Sequence, residues 1–321
     1  MKLLTFLKDW MLPIAMVMGV IIYFTYKAIP FTPSARSVIV GSISIIQPLL
    51  IASMLFLSFC RVKFTDLKIT RWHIYLLLFQ VGIFFLGALL LMFIPHNEYT
   101  ILIEGTMLCI ICPTATAAAV VVSKLEGSAA SVVSYTIFIN LAVSVAIPLG
   151  VSMIHPTAGV SFMSSFLLIL QKVFPLLLGP LIAALAIRQF MPKLHATLIK
   201  YPNLPFYLWA VALSLAIAMT VKTIVHSNLS SVFHVGIATV SLLSCFIQFY
   251  LGRKIGRVYN DEITAGQALG QKNTILAIWL GYTFFTPVTA IAGGFYSVWH
   301  NLANSYQLYE QRKAKERQKR L

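Results

Sequence analysis

An all-α membrane protein is the fold class the sequence predicts: ten transmembrane helices in two inverted five-helix repeats, with helices four and nine discontinuous. Three observations predict it. Of 321 residues, 59% are hydrophobic and only 10% charged, with a mean hydropathy of +0.86, whereas a soluble domain carries about 25% charged residues. Such a chain cannot cover itself with a polar surface, so a water-soluble globule, a disordered chain and a collagen-like fibre are excluded. Four cysteines, all in apolar runs, exclude a secreted disulfide scaffold. Second, 24 basic residues against nine acids give a net charge of +15, and the basic residues sort to one side of the spans. Third, one segment recurs at half the chain length.

Taken in order, a helical span needs about 20 mostly apolar residues. Ten such runs fall at 11–27, 37–60, 72–95, 100–122, 128–154, 163–188, 204–225, 229–252, 262–283 and 286–308. Pro30 to Pro33, Pro95-His96-Asn97, His155-Pro156-Thr157, Pro192 and Pro202-Asn203 supply loop chemistry between them. The first run follows Lys2 and Lys8 in the manner of a signal peptide. No A-x-A site follows it, however, and the repeat needs it as a span. One transmembrane domain therefore covers 1–311, with repeat one at about 1–156 and repeat two at about 157–311. A basic tail, 312–321, follows.

Under this assignment 19 basic residues lie on the side holding both termini, and three, Lys27, Arg36 and Lys222, on the other. The positive-inside rule makes that richer side cytoplasmic, as expected of a multi-pass protein of the cell inner membrane. The tail is thus first a topology determinant. It fits contact with the anionic lipid bilayer and implies no nucleic acid. Lys172 and Lys272 remain inside spans.

Residues Tyr135-Thr136-Ile137-Phe138-Ile139-Asn140-Leu141-Ala142 are echoed by Tyr296-Ser297-Val298-Trp299-His300-Asn301-Leu302-Ala303, 161 positions later. This relates span five to span ten. An odd number of spans per unit inverts the second unit, and inverted repeats mark secondary transporters whose site lies where broken helices meet. Spans four and nine carry the break signals. In span four Pro113 lacks an N–H and opens the backbone ahead of the small tract Thr114-Ala115-Thr116-Ala117-Ala118-Ala119. In span nine Gly266 and Gly270 can admit a crossing helix, and Gln271-Lys272-Asn273-Thr274 are four polar residues at membrane depth, where a lysine is costly. Pro13, Pro48, Pro148, Pro175 and Pro180 read as kinks.

Enzyme chemistry finds no constellation. Glu104 is the one acid inside a span, His234 and His300 are the histidines that read as buried, and Cys109-x-x-Cys112 reads as apolar packing. No H-E-x-x-H, Asp-rich pair or nucleotide loop is present. No metal site and no cofactor are expected.

The segments Met54–Val62, Cys112–Ala117, Gly270–Thr274 and Tyr296–Asn301, in this order and spacing, resemble the bile acid:sodium symporter family, related in fold to sodium/proton antiporters. The resemblance implies a panel of spans 1, 2, 6 and 7 and a core of 3, 4, 5, 8, 9 and 10, with spans four and nine crossed. It also implies carriage of organic anions, bile-acid-like or small carboxylates, with sodium. Where the family has a Ser-Asn sodium-site pair, this chain has Ala118 and Ala119. Where the family has Glu and Gln in span nine, it has Ala268 and Lys272, or in a gapped register Gln267 and Gln271. Thr136 and Gln80 complete the ion-site equivalents.

Either register removes the carboxylate and brings in a cation, which disfavours sodium. Lys272 then has two readings. It replaces sodium, as a fixed charge or by exchanging a proton, or it is a structural post paired with Glu104 or with carbonyl ends of the broken helices. The coupling ion, sodium or proton, stays open, and so does the oligomeric state. The expected substrate contacts for a small organic anion are Thr114, Thr116, Asn273, Thr274, His300 and Asn301, with Ser131, Thr136 and Gln80 secondary. The other open readings are a sodium-coupled symporter and, in another class, a membrane-embedded enzyme or lipid-handling protein.

Overall fold

A computed structural model of the chain describes residues 11–62, 67–94, 97–155, 160–201 and 203–318. Among these residues the regular secondary structure is all helical apart from one isolated β-bridge. In chain order the helices are α1 (Met11–Ala28), α2 (Pro33–Phe59), α3 (Arg71–Phe93), α4 (Thr100–Ile111), α5 (Ala118–Lys124), α6 (Ala129–Ile154) and α7 (Phe162–Phe190). They continue as α8 (Pro192–Ile199), α9 (Leu204–His226), α10 (Ser231–Arg257), α11 (Glu262–Gly270), α12 (Thr274–Phe284) and α13 (Pro287–Gln318). Six of these, α2, α3, α6, α7, α9 and α10, are long and apolar enough to cross a membrane. Lys2, Lys8, Asp9, Lys63, Asp66, Pro95, His96, Pro156, Thr157, Pro202, Lys319 and Arg320 lie outside the described residues.

Local chemistry sets the helix ends. Thr32, Ser128 and Ser161 each cap a following helix by accepting a backbone N–H, from Ala35, Ser131 and Ser164. Pro48, Pro148, Pro175 and Pro180 sit inside α2, α6 and α7 without ending them. Packing divides the helices. α9 packs on α1 and α2, and α2 on α7, while α4, α10, α11 and α13 pack together and α6 joins α3 to α7. The two groups meet where α2 and α9 touch α12 and α13. A fully buried group holds the inner set, including Trp72, Leu76, Phe84, Tyr135, Leu276 and Leu280.

Several expectations need correction. The basic tail is helical as far as Gln318, continuous with α13. Gln311, Lys313, Ala314, Lys315 and Arg317 are good helix formers, and Gln311 and Lys315 are tied to Glu126. His234 is only half-buried, bonded to Ser227 at the mouth of α10, whereas His73 is fully buried between Thr70 and Ser131. α8 was not foreseen; its Pro192 starts a new helix where α7 ends.

Candidate functional site

Two helices break and meet. α4 stops at Ile111, and the chain runs extended through Cys112, Pro113 and Thr114 before α5 begins. α11 stops at Gly270, and Gln271, Lys272 and Asn273 pass to α12. The two interruptions pair as a minimal antiparallel bridge, Thr114 opposite Lys272. The Ala115 N–H donates to the Gln271 carbonyl at 2.8 Å and the Asn273 N–H to the Pro113 carbonyl at 2.9 Å. Small residues let the backbones come this close. Gly270 has room for no side chain, since a Cβ there would lie 2.4 Å from the Phe249 ring of α10.

Breaking a helix frees carbonyls that a membrane interior cannot hydrate. Here neutral side chains take them. Gln80 Nε2 on α3 donates to the carbonyls of Ile111 and Cys112, both at 2.8 Å, and its Oε1 accepts from Tyr135 Oη on α6. In the other half Gln248 Nε2 on α10 donates to the Cys109 carbonyl and to Tyr296 Oη, and Tyr296 Oη donates to the Gly270 carbonyl at 2.8 Å. Thr114 Oγ1 donates to the Ala268 carbonyl at 2.6 Å. Each half thus contains a Gln–Tyr pair at a helix break, and the two tyrosines are the first residues of the repeated segment.

Lys272 is the exception. It is 1% exposed, and its Nζ has no hydrogen-bond partner. Among the described residues no carboxylate pairs with it. Glu104 is committed elsewhere: Oε1 lies 3.0 Å from His155 Nε2, and Oε2 accepts from Thr289 Oγ1 at 2.7 Å. Both partners expected of a structural post are therefore otherwise engaged. Lys272 instead lines a cavity of about 10 Å³ together with Thr116, Gln271, Asn273, Thr274 and His300, with Met54 of α2 and Trp209 of α9 also in its lining. That volume is at the threshold for holding one water. Gln271 Oε1 and His300 Nδ1, also buried, lack hydrogen-bond partners as well. The Asn273 side chain caps α12 by accepting from the Leu276 N–H, so the positive end of that helix faces the same place.

Of the expected substrate contacts, Thr116, Asn273, Thr274 and His300 come together around this cavity. Thr114 is spent on the Ala268 carbonyl, and Asn301 Nδ2 turns back to its own helix at the Ser297 carbonyl, as Asn140 does at Thr136. Among the ion-site equivalents, Ala119 and Thr136 line a second small cavity of about 20 Å³ with Ser58, Phe59 and Val62. Ala118 and Ala268 are buried and apolar. Gln267 Nε2 donates to Asn304 and Gln307 on α13, and Gln80 holds the first break. Ser131 contacts His73. Lys172 is exposed on α7, its Nζ 5.9 Å from the Phe284 ring centroid. Sequence reasoning missed Gln248, Met54 and Trp209 as parts of the site. A lone Gln inside the apolar run Cys245-Phe246-Ile247-Gln248-Phe249 was the available signal for the first.

No protein-family model matches the chain. Over 222 residues it is 28% identical to a protein of Bacillus subtilis (strain 168) described as the uncharacterized sodium-dependent transporter YocS. The match takes in 67% of this chain and 66% of that relative, so the chain spans just under two-thirds of the relative's length. Six helices of spanning length, together with this likeness, make the chain a multi-pass membrane protein.

Proposed function

We propose that the chain is a secondary transporter of small organic anions, similar to the bile acid:sodium symporter family, with Lys272 standing where that family binds sodium. In this reading ten spans form two inverted five-helix units in the cell inner membrane, with both termini cytoplasmic. α1, α2, α7 and α9 form a panel, and the remaining helices a core. The core carries the crossing of α4–α5 with α11–α12, and the substrate sits between core and panel, exposed to each side in turn. Support for the duplication comes from the matched pairs Gln80–Tyr135 and Gln248–Tyr296 and from the matched turns of Asn140 and Asn301. The name of the relative supports transport over an enzyme or lipid-handling role.

The observation that carries the proposal is the unpartnered, buried amine of Lys272 at a small cavity between the two helix groups. An uncompensated charge in such a place is strongly unfavourable. A carboxylate entering the cavity would supply the missing counter-charge and accept from Lys272, while Thr116, Asn273 and His300 offer further polar contacts. Anion selectivity follows from that field. The second reading, sodium-coupled symport, is favoured by the relative's description as sodium-dependent.

The test is uptake of a panel of radiolabelled small carboxylates and bile acids into proteoliposomes, with and without a pH gradient, for the native protein and Lys272→Gln. Saturable uptake of a carboxylate that Lys272→Gln abolishes is expected. Uptake in the variant equal to the native protein would remove Lys272 from the site. An active variant with unchanged pH dependence would remove proton exchange by Lys272.

A further inference from the structure

The last helix has two chemically different long faces. On one side, Asn304 Oδ1 and Gln307 Oε1 each accept from Gln267 Nε2 of α11 at 3.0 Å. Further along that side, Gln311 Nε2 donates to Glu126 Oε2 at 3.0 Å, and Lys315 Nζ lies 2.7 Å from Glu126 Oε1. Glu126 sits in the turn between α5 and α6, at a φ of 67°. One rigid helix is thereby fastened to α11, the first half of one broken span, and to the end of α5, the second half of the other.

The opposite face is Leu302, Tyr306, Tyr309, Lys313 and Arg317. They recur at three- and four-residue spacing, on one stripe. Leu302, Tyr306 and Tyr309 are 58%, 66% and 58% exposed, and Lys313 Nζ lies 5.8 Å from the Tyr309 ring centroid. Lys313 and Arg317 on the stripe and Arg312 beside it are exposed, as are Glu310 and Glu316 on its flanks, and among the described residues no carboxylate pairs with the three basic groups. Length places these residues. Thirty-two residues at about 1.5 Å each give about 48 Å, well beyond a hydrocarbon core of about 30 Å. If Pro287 lies at one membrane surface, Tyr306 and Tyr309 fall at the other, where tyrosine is favoured. Arg312 and Lys313 then fall at headgroup depth.

We propose that this outer stripe binds the headgroups of anionic phospholipids in the cytoplasmic leaflet. Headgroup binding thereby seats the helix that fastens both broken spans. Lys313 and Lys315, two residues apart, serve opposite sides: one meets lipid, the other Glu126. The proposal rests on the cytoplasmic placement of the C-terminal side and is independent of whether the protein carries an anion.

The experiment reconstitutes the full chain in vesicles of equal phosphatidylglycerol and phosphatidylcholine, extracts it in mild detergent, and counts retained lipids by native mass spectrometry. Each basic side chain near an anionic surface contributes about fivefold to binding. The triple variant Arg312→Gln, Lys313→Gln, Arg317→Gln is therefore expected to lower the phosphatidylglycerol-to-phosphatidylcholine ratio by about tenfold or more. Lys313→Arg and Lys315→Gln are expected to keep it. A native ratio in the triple variant would overturn the proposal, and so would a loss in Lys315→Gln equal to that of the triple variant. Because the readout needs no transport, an inactive carrier that still selects phosphatidylglycerol leaves this inference standing and removes only the functional one.

Discussion

The break after α4 and the break after α11 pair through the same two backbone hydrogen bonds, and each leans on a Gln–Tyr pair, yet their side chains differ in kind. The first, Cys112-Pro113-Thr114-Ala115, is made of proline and small residues. Its function is geometric: proline opens the helix, and the small residues allow close approach. The second, Gln271-Lys272-Asn273, has no proline and brings the charge. Neutral donors reach the freed carbonyls of both breaks, and none of these bonds involves the Lys272 amine. The Lys272 amine, buried beside a cavity without a partner, is the group on which the proposed anion site depends.

The largest expected effect separates function from fold at the second break. Lys272→Met removes the uncompensated ammonium while nearly keeping its volume. Replacing buried charge by an apolar group is often neutral or stabilising by about 1–4 kcal/mol. Anion uptake should fall by more than about tenfold, a loss of at least about 1.4 kcal/mol, while thermal unfolding in detergent moves up or stays in place. A variant that unfolds at lower temperature would make Lys272 a structural post and erase the contrast between the breaks.

The next effect sharpens the frame of the first break. Gln80→Leu leaves the Ile111 and Cys112 carbonyls without their donor, at about 1–3 kcal/mol per buried unsatisfied group. Tyr296→Phe, at the second break, removes the one donor to the Gly270 carbonyl and an acceptor of Gln248 Nε2, which keeps the Cys109 and Ser244 carbonyls. Chemical denaturation should therefore rank Gln80→Leu below Tyr296→Phe in stability. The reverse order would mean that the second break depends more heavily on its neutral frame.

Smaller still is Glu104→Gln. It keeps an acceptor for Thr289 and for the partly exposed His155 while removing the charge of a buried carboxylate, so a loss of about 1 kcal/mol is expected. Thermal shift measures it. The smallest is Glu126→Gln, at an exposed pair where about 0.2–1 kcal/mol is typical. Its unfolding temperature should be nearly native, while proteolysis at the α5–α6 turn becomes faster as α13 loses its hold there.

Both breaks were legible in the sequence because each announces itself locally, one by Pro113 within an apolar run and the other by four consecutive polar residues. Thr116, Asn273 and Thr274 lie beside these signals and His300 in the repeated segment, and the four line one cavity. What holds the crossing was not legible. Gln80 and Gln248 are single polar residues in apolar helices, and only the folded chain shows that they meet broken-helix carbonyls more than 30 and 130 positions away. Glu104 read as a partner for Lys272 because both are rare intramembrane charges. His155 and Thr289 took it because α4, the end of α6 and the start of α13 converge, which no local pattern encodes. The helical course of the tail was not legible either, because its charge dominates its composition, while its helix propensity and its bonds to Glu126 act on its shape.

The central claim, that the Lys272 ammonium occupies the role of sodium at an anion site, is tested most directly by the sodium dependence of uptake. Initial rates of carboxylate uptake into proteoliposomes would be measured with sodium replaced by potassium at constant pH and membrane potential. Rates that stay within about twofold, well under the tenfold that 1.4 kcal/mol represents, and that vanish in Lys272→Met, are predicted. Uptake that rises saturably with sodium and survives in Lys272→Met would contradict the account.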